Sequence, residues 1–136
     1  MRTRPAGVAA VALGGALGTL ARYGVTRLHP AAPGTFPWTT LFVNLVGAAL
    51  IGALAGRGRV GPATPGAVAV SAGFLGAFTT FSALSVETVL LVDAGRPVPA
   101  IAYVLGTVVG GLGVCAVAWR VAGRRRSNPR AEGTAC

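Results

Sequence analysis

Four apolar stretches, separated by short segments rich in proline, glycine and arginine, make up most of this 136-residue chain. They run from about 6 to 26, 38 to 55, 66 to 92 and 100 to 121. Crossing the hydrocarbon core of a bilayer takes roughly 20 apolar residues in a helix, so the pattern predicts four transmembrane helices in one membrane domain, 1–136. The third stretch is too long for one straight span. Gly73 and Gly76 and the hydroxyls of Thr79, Thr80, Ser82, Ser85 and Thr88 crowd its middle. Backbone that leaves the helix at membrane depth persists only where protein or a cavity satisfies its polar groups. A span broken near 76–80, with freed carbonyls open to a cation, is how membrane proteins build an ion site.

Spacing assigns faces to the other helices. In the first, Gly14, Gly18 and Arg22 lie four apart, and small residues so spaced let helices approach closely in lipid. The glycines, the terminal arginine and the lack of a small-x-small cleavage site favour a packing helix over a signal peptide. The loop Arg27 to Pro37 carries His29, Gly34 and three prolines, and Trp38 follows as an interfacial anchor. On the second helix Thr40, Asn44, Gly47, Ala48 and Ile51 share a face. A mid-membrane asparagine is costly unless paired, and its amide can either glue helices together or line a path.

After the break, Phe81, Leu84, Ser85 and Thr88 share one face and Thr80, Ala83 and Glu87 another. Glu87 is the only acid in any spanning segment, hence a functional candidate, though its place near a helix end favours a structural role. The fourth helix carries a Tyr103, Thr107, Gly111 stripe and a Gly106/Gly110 pair that predicts close packing. Cys115 is an apolar filler, and 123–136 reads as a basic disordered tail.

Composition agrees. The chain is 53% hydrophobic and 11% charged, about half the charge of a soluble domain. All twelve cations are arginines, for a net charge of +9. They sit almost wholly outside the apolar runs, which points to lipid headgroups and not to nucleic acid. With four spans both termini share a side, carrying Arg2, Arg4, Arg57, Arg59, Arg120, Arg124, Arg125, Arg126 and Arg130, against Arg22, Arg27 and Arg96 opposite. Nine against three places the termini in the cytoplasm.

No constellation supports an enzyme. The single histidine has no partner at suitable spacing, the chain has no lysine for a phosphate loop, and Cys115 and Cys136 form no metal or disulfide pattern. Hydroxyls, an amide and ring edges favour a small anion or neutral solute over an organic cation. Four short helices hardly enclose a pore, so an oligomer is expected.

Three segments together resemble the Fluc (CrcB) family of fluoride channels: Gly14-Gly15 with Gly18 and Arg22-Tyr23, then Thr40 to Gly47 (TLFVNLVG), and above all Gly73-x-x-Gly76 followed by Thr79-Thr80-Phe81-Ser82. The resemblance covers about residues 13 to 111. It implies an antiparallel, dual-topology dimer in the bacterial inner membrane, with two pores along the interface through which fluoride leaves the cytoplasm passively. It implies a structural sodium ion at the dimer centre, held by the main-chain carbonyls of Gly76 and Thr79 of both subunits. Asn44 and Phe81 would line the pore as amide donor and ring edge, with Thr80, Tyr103 and Thr107 beside them.

Two features depart from the family pattern. Leu84 stands where a second pore phenylalanine is usual, and the chain has a clear arginine bias where the family's dual-topology homodimers tend to have little. Both favour one half of a heterodimer with an inversely oriented paralogue; a homodimer with leucine-substituted pores is the competing arrangement. A small multidrug-resistance-type exporter would need a carboxylate deep in its first helix, and residues 6–21 contain none. A membrane scaffold would not need a polar, broken helix.

Overall fold

The computed structural model describes residues 5–59 and 64–126. The basic leader with Arg2 and Arg4, the tail beyond Arg126 and Cys136 lie outside the described residues. Helix α1 spans Pro5–Leu28 and α2 Trp38–Gly56. The third apolar stretch is composite: α3 (Pro65–Val68), a π-helical segment (Ala69–Leu75), α4 (Gly76–Phe78) and α5 (Phe81–Asp93). Helix α6 covers Pro97–Arg126. It therefore runs four residues into the stretch expected to be disordered from 123, because nothing in Gly123 to Arg126 breaks a helix already held by its preceding turns. Four helical segments are long and apolar enough to cross a membrane.

Proline and glycine set the ends. Pro65 and Pro97 open their helices, where a missing N–H and a fixed φ are harmless. Helices α2 and α5 end alike, with Gly58 (φ 65°) and Gly95 (φ 71°) in the left-handed conformation. Gly58 N and Arg59 N donate to Ala55 O and Leu54 O, and Gly95 N and Arg96 N to Val92 O and Leu91 O. This paired closure satisfies carbonyls that would otherwise be orphaned at each helix end.

Helix α1 lies along the π-helical segment, α2 along α6, and α5 against α6. Glycine makes the close approaches possible. A Cβ at Gly14 would fall on the Ala69 carbonyl oxygen, and one at Gly18 on that of Phe74. Reciprocally, a Cβ at Gly73 would come within 2.7 Å of Val11 O. Between α2 and α6 the tight positions are Gly52, against the Cys115 carbonyl, and Gly56, against that of Trp119. This corrects the expectation for Gly106 and Gly110, whose Cβ positions would meet only Leu41 and Leu45 side chains at 4.0 and 3.4 Å. The small residues that matter belong to α2, and they receive backbone of α6.

Leu84, Leu91, Ala100 and Tyr103 form a buried cluster with Phe36, Leu41 and Val104 around it. Elsewhere large apolar side chains face outward, among them Leu13, Leu17 and Leu20 on α1 and Val109, Leu112 and Val117 on α6. A water-soluble chain does not expose such continuous apolar faces; a chain embedded in lipid does.

Substitution at a close-approach glycine should therefore differ from substitution at an open one. Gly18→Ala forces α1 off the π-helical segment and should destabilise the protein by about 1–3 kcal/mol. Gly24→Ala, where a Cβ meets nothing within 4 Å, should leave the melting temperature of the detergent-solubilised protein unchanged or slightly raised. Thermal melting of the two variants side by side checks this.

Candidate functional site

The helical backbone of the third span is interrupted at two residues. Thr79 (φ −76°, ψ 155°) and Thr80 (φ −145°, ψ 124°) are extended, and helix resumes at Phe81. In a continuous helix the Gly76 carbonyl would take the Thr80 N–H and the Thr79 carbonyl the Ala83 N–H. Here Thr80 N donates to Asn44 Oδ1 at 2.9 Å, and Ala83 N donates to Thr80 Oγ1 at 3.2 Å. The helical donors of the two carbonyls expected to face a cation are thus both drawn elsewhere. Three nearby carbonyls are served by protein groups: Leu75 O accepts from Thr79 N (3.1 Å) and Thr79 Oγ1 (2.9 Å), Ala77 O from Arg22 Nε (3.2 Å), and Thr80 O from Asn44 Nδ2 (3.1 Å).

Asn44 consequently grips both polar groups of Thr80, as a neighbouring strand would. Its amide joins α2 to the interruption, and one Nδ2 hydrogen remains beyond the bond to Thr80. Gly47, one turn further along α2, leaves room for Thr79, since a Cβ there would overlap the Thr79 methyl.

Beside the interruption runs an open groove of about 440 Å³ whose walls include Asn44, Thr80, Phe81, Leu84, Thr107 and Cys115. The face predicted on α2 from Asn44 to Ile51 is on this wall, and so is Gly111 of the α6 stripe. Phe81 projects outward, 77% exposed, whereas Leu84 is 5% exposed and belongs to the core as much as to the groove. Tyr103 does not reach the groove. It is fully buried, its hydroxyl donating to Glu87 Oε2 at 2.5 Å while Thr40 Oγ1 donates to Glu87 Oε1 at 2.7 Å. Glu87 thus accepts from two hydroxyls on two other helices and ties α2, α5 and α6 together. Spacing sets Thr40 on the same helical face as Asn44, but carries no signal that Glu87 is its partner.

The hydroxyls differ from their expected role. A hydroxyl has one hydrogen to give, and within helices it often goes to the carbonyl four residues back. Thr107 Oγ1 donates to Tyr103 O, Ser85 Oγ to Phe81 O and Thr88 Oγ1 to Leu84 O. None of these can also donate to an anion. Thr80 Oγ1 and Ser82 Oγ share one hydrogen bond at 3.1 Å, which leaves one of their two hydrogens available. Groups at the groove that can still face an anion include the second Nδ2 hydrogen of Asn44, this hydroxyl pair and the positive ring edge of Phe81. Among the described residues no group of three or more His, Cys, Asp or Glu could hold a metal ion.

Comparison with known proteins gives this geometry a family. Residues 9–119 match the family described as "CrcB-like protein, Camphor Resistance (CrcB)". A protein of Symbiobacterium thermophilum named "Fluoride-specific ion channel FluC 2" is 47% identical over 122 residues, covering 88% of this chain and 99% of that protein. "Fluoride-specific ion channel FluC 2" of Moorella thermoacetica is 45% identical over 116 residues, covering 83% of this chain and 93% of the relative. A "Fluoride-specific ion channel FluC" of Thermus thermophilus is 43% identical over 123 residues, 83% of this chain and 92% of its own length. The relatives are channels and not enzymes, and the four spans fit a multi-pass membrane protein. The chain belongs to the CrcB family, to which these fluoride-specific ion channels are its relatives.

Proposed function

We propose that this protein is one subunit of a fluoride channel that lets fluoride leave the cytoplasm passively, down its electrochemical gradient. The observation that carries the reading is the interruption at Thr79–Thr80, where backbone is held open beside a groove that offers an amide, a hydroxyl hydrogen and a ring edge. Fluoride is the smallest halide and the strongest acceptor among them, so few, rigidly held donors suit it. Asn44 supplies an N–H whose position is fixed by its two bonds to Thr80. Phe81 supplies a ring edge without a competing acceptor. Among the described residues no carboxylate opens onto the groove, because Glu87 faces Thr40 and Tyr103.

The carbonyls of Gly76 and Thr79 fit a small, hard monovalent cation, which takes oxygen donors and needs no deprotonated ligand. Sodium held there would offset converging carbonyl dipoles and raise the potential felt by an anion nearby. A second subunit completes the arrangement. Gly76 is exposed, and a Cβ there would meet nothing within 4 Å of its own chain, as suits a residue placed against a partner. The exposed Phe81 ring and the open groove call for the same cover. We place the partner antiparallel, as an inversely oriented paralogue that supplies the aromatic edge Leu84 lacks; the arginine bias then fixes this chain with its termini in the cytoplasm of a bacterial inner membrane. The name "FluC 2" borne by two relatives fits organisms with more than one such chain.

Fluoride efflux from sodium-loaded liposomes, followed by electrode, tests the reading. Reconstitution with an inversely oriented paralogue should release fluoride while chloride is retained, and this chain alone should be markedly slower. Fluoride retention in both preparations would sink the channel assignment. Full-rate flux from the chain alone would instead establish the homodimer.

Asn44→Ala provides the second check. It leaves the Thr80 N–H and carbonyl without partners, each a loss of about 1–3 kcal/mol. The melting temperature should fall by several degrees and fluoride flux should be lost, measured on the same preparation.

A further inference from the structure

The carbonyls around the interruption are unevenly shared out, and one of the donors is an arginine. Arg22, on α1, reaches across to donate Nε–H to Ala77 O at 3.2 Å. Charged side chains at membrane depth are rare and face protein interiors or aqueous paths, so this contact is not incidental. It is also well braced. Four residues before Arg22, Gly18 brings α1 backbone against the Phe74 carbonyl, and Gly14 does the same at Ala69. The glycine face of α1 therefore sets the distance at which Arg22 meets α4. Ala77 lies directly after Gly76 and two residues before Thr79, so its carbonyl would otherwise be a further unsatisfied oxygen at the end of α4.

We propose that Arg22 is a positioning residue that helps determine which carbonyls of the interruption are open to a cation, withholding Ala77 O from a site built on Gly76 O and Thr79 O. The inference rests on the sodium reading given above and deepens it. The number and freedom of carbonyl oxygens govern which monovalent ion a site prefers. A site from which Ala77 O is withheld, on a helix end pinned by a guanidinium, favours the smaller sodium. Once Ala77 O is released and α4 can shift, the larger and more highly coordinated potassium is accommodated equally well. A role confined to attracting anions through the arginine's charge would leave this cation preference untouched.

The test is thermal melting of the purified, assembled channel in sodium chloride against potassium chloride, which needs no flux. Wild type should melt higher in sodium. Arg22→Met, which removes donor and charge at similar length, should lose this sodium-over-potassium shift. Where the methionine variant does not assemble, Arg22→Lys carries the test; it keeps the charge but not the guanidinium's Nε–H, and its shift should be clearly reduced. A folded Arg22→Met or Arg22→Lys protein with the full wild-type shift overturns the proposal, whatever its fluoride flux. Absence of the shift in wild type would sink the sodium reading itself, and this inference with it, which is a separate and recognisable failure.

Discussion

The two hydrogen bonds between the Asn44 amide and the Thr80 peptide are the contact on which the rest of the site depends. In lipid an unsatisfied peptide group has no water to turn to, so a helix cannot simply stop mid-span. Asn44 supplies what a neighbouring strand would: an acceptor for the Thr80 N–H and a donor for its carbonyl. By taking the Thr80 N–H it also removes the normal partner of Gly76 O. Thr80 Oγ1 repeats the operation one step on, capping Ala83 N and drawing it from Thr79 O. One amide and one hydroxyl thus convert an interrupted helix from a liability into a place with spare carbonyl oxygens.

Those polar contacts are held by packing that leaves no slack. The first half of the third span is wound as a π-helix, wider than an α-helix and often found at functional positions. Helix α1 lies against it at glycine-to-carbonyl distance, while α2 and α6 meet through Gly52 and Gly56. Glu87 acts as a polar tie, accepting from Thr40 on α2 and Tyr103 on α6. The groove lies along α2, the interruption and α6, open in a single chain.

Much of this was legible beforehand. The glycines at 73 and 76 and the clustered hydroxyls located the irregular part of the third span, because few other compositions tolerate such backbone in lipid. The face of α2 from Asn44 through Ile51 followed from helical spacing and does line the groove. The hydroxyls were less transparent. Thr107, Ser85 and Thr88 read as potential donors, yet each gives its hydrogen to its own helix. Tyr103 read as part of a stripe with Thr107 and Gly111, but it points into the core and not into the groove.

The sequence by itself determined the number of apolar spans and the neighbourhood of the irregular backbone, since these depend on hydrophobicity and local backbone chemistry; it ended the fourth span near 121 where α6 runs to Arg126, and spread over 76–80 an interruption confined to Thr79 and Thr80. Tertiary structure decided what each polar group is bonded to. Spacing places a residue on a face but does not say which helix that face meets. Gly106 and Gly110 therefore looked like the close-packing pair, while Gly52 and Gly56 perform that role. For the same reason Arg22 could be recognised only as an arginine near a helix end. That it serves a single carbonyl fifty-five residues away is a property of how α1 and α4 are brought together.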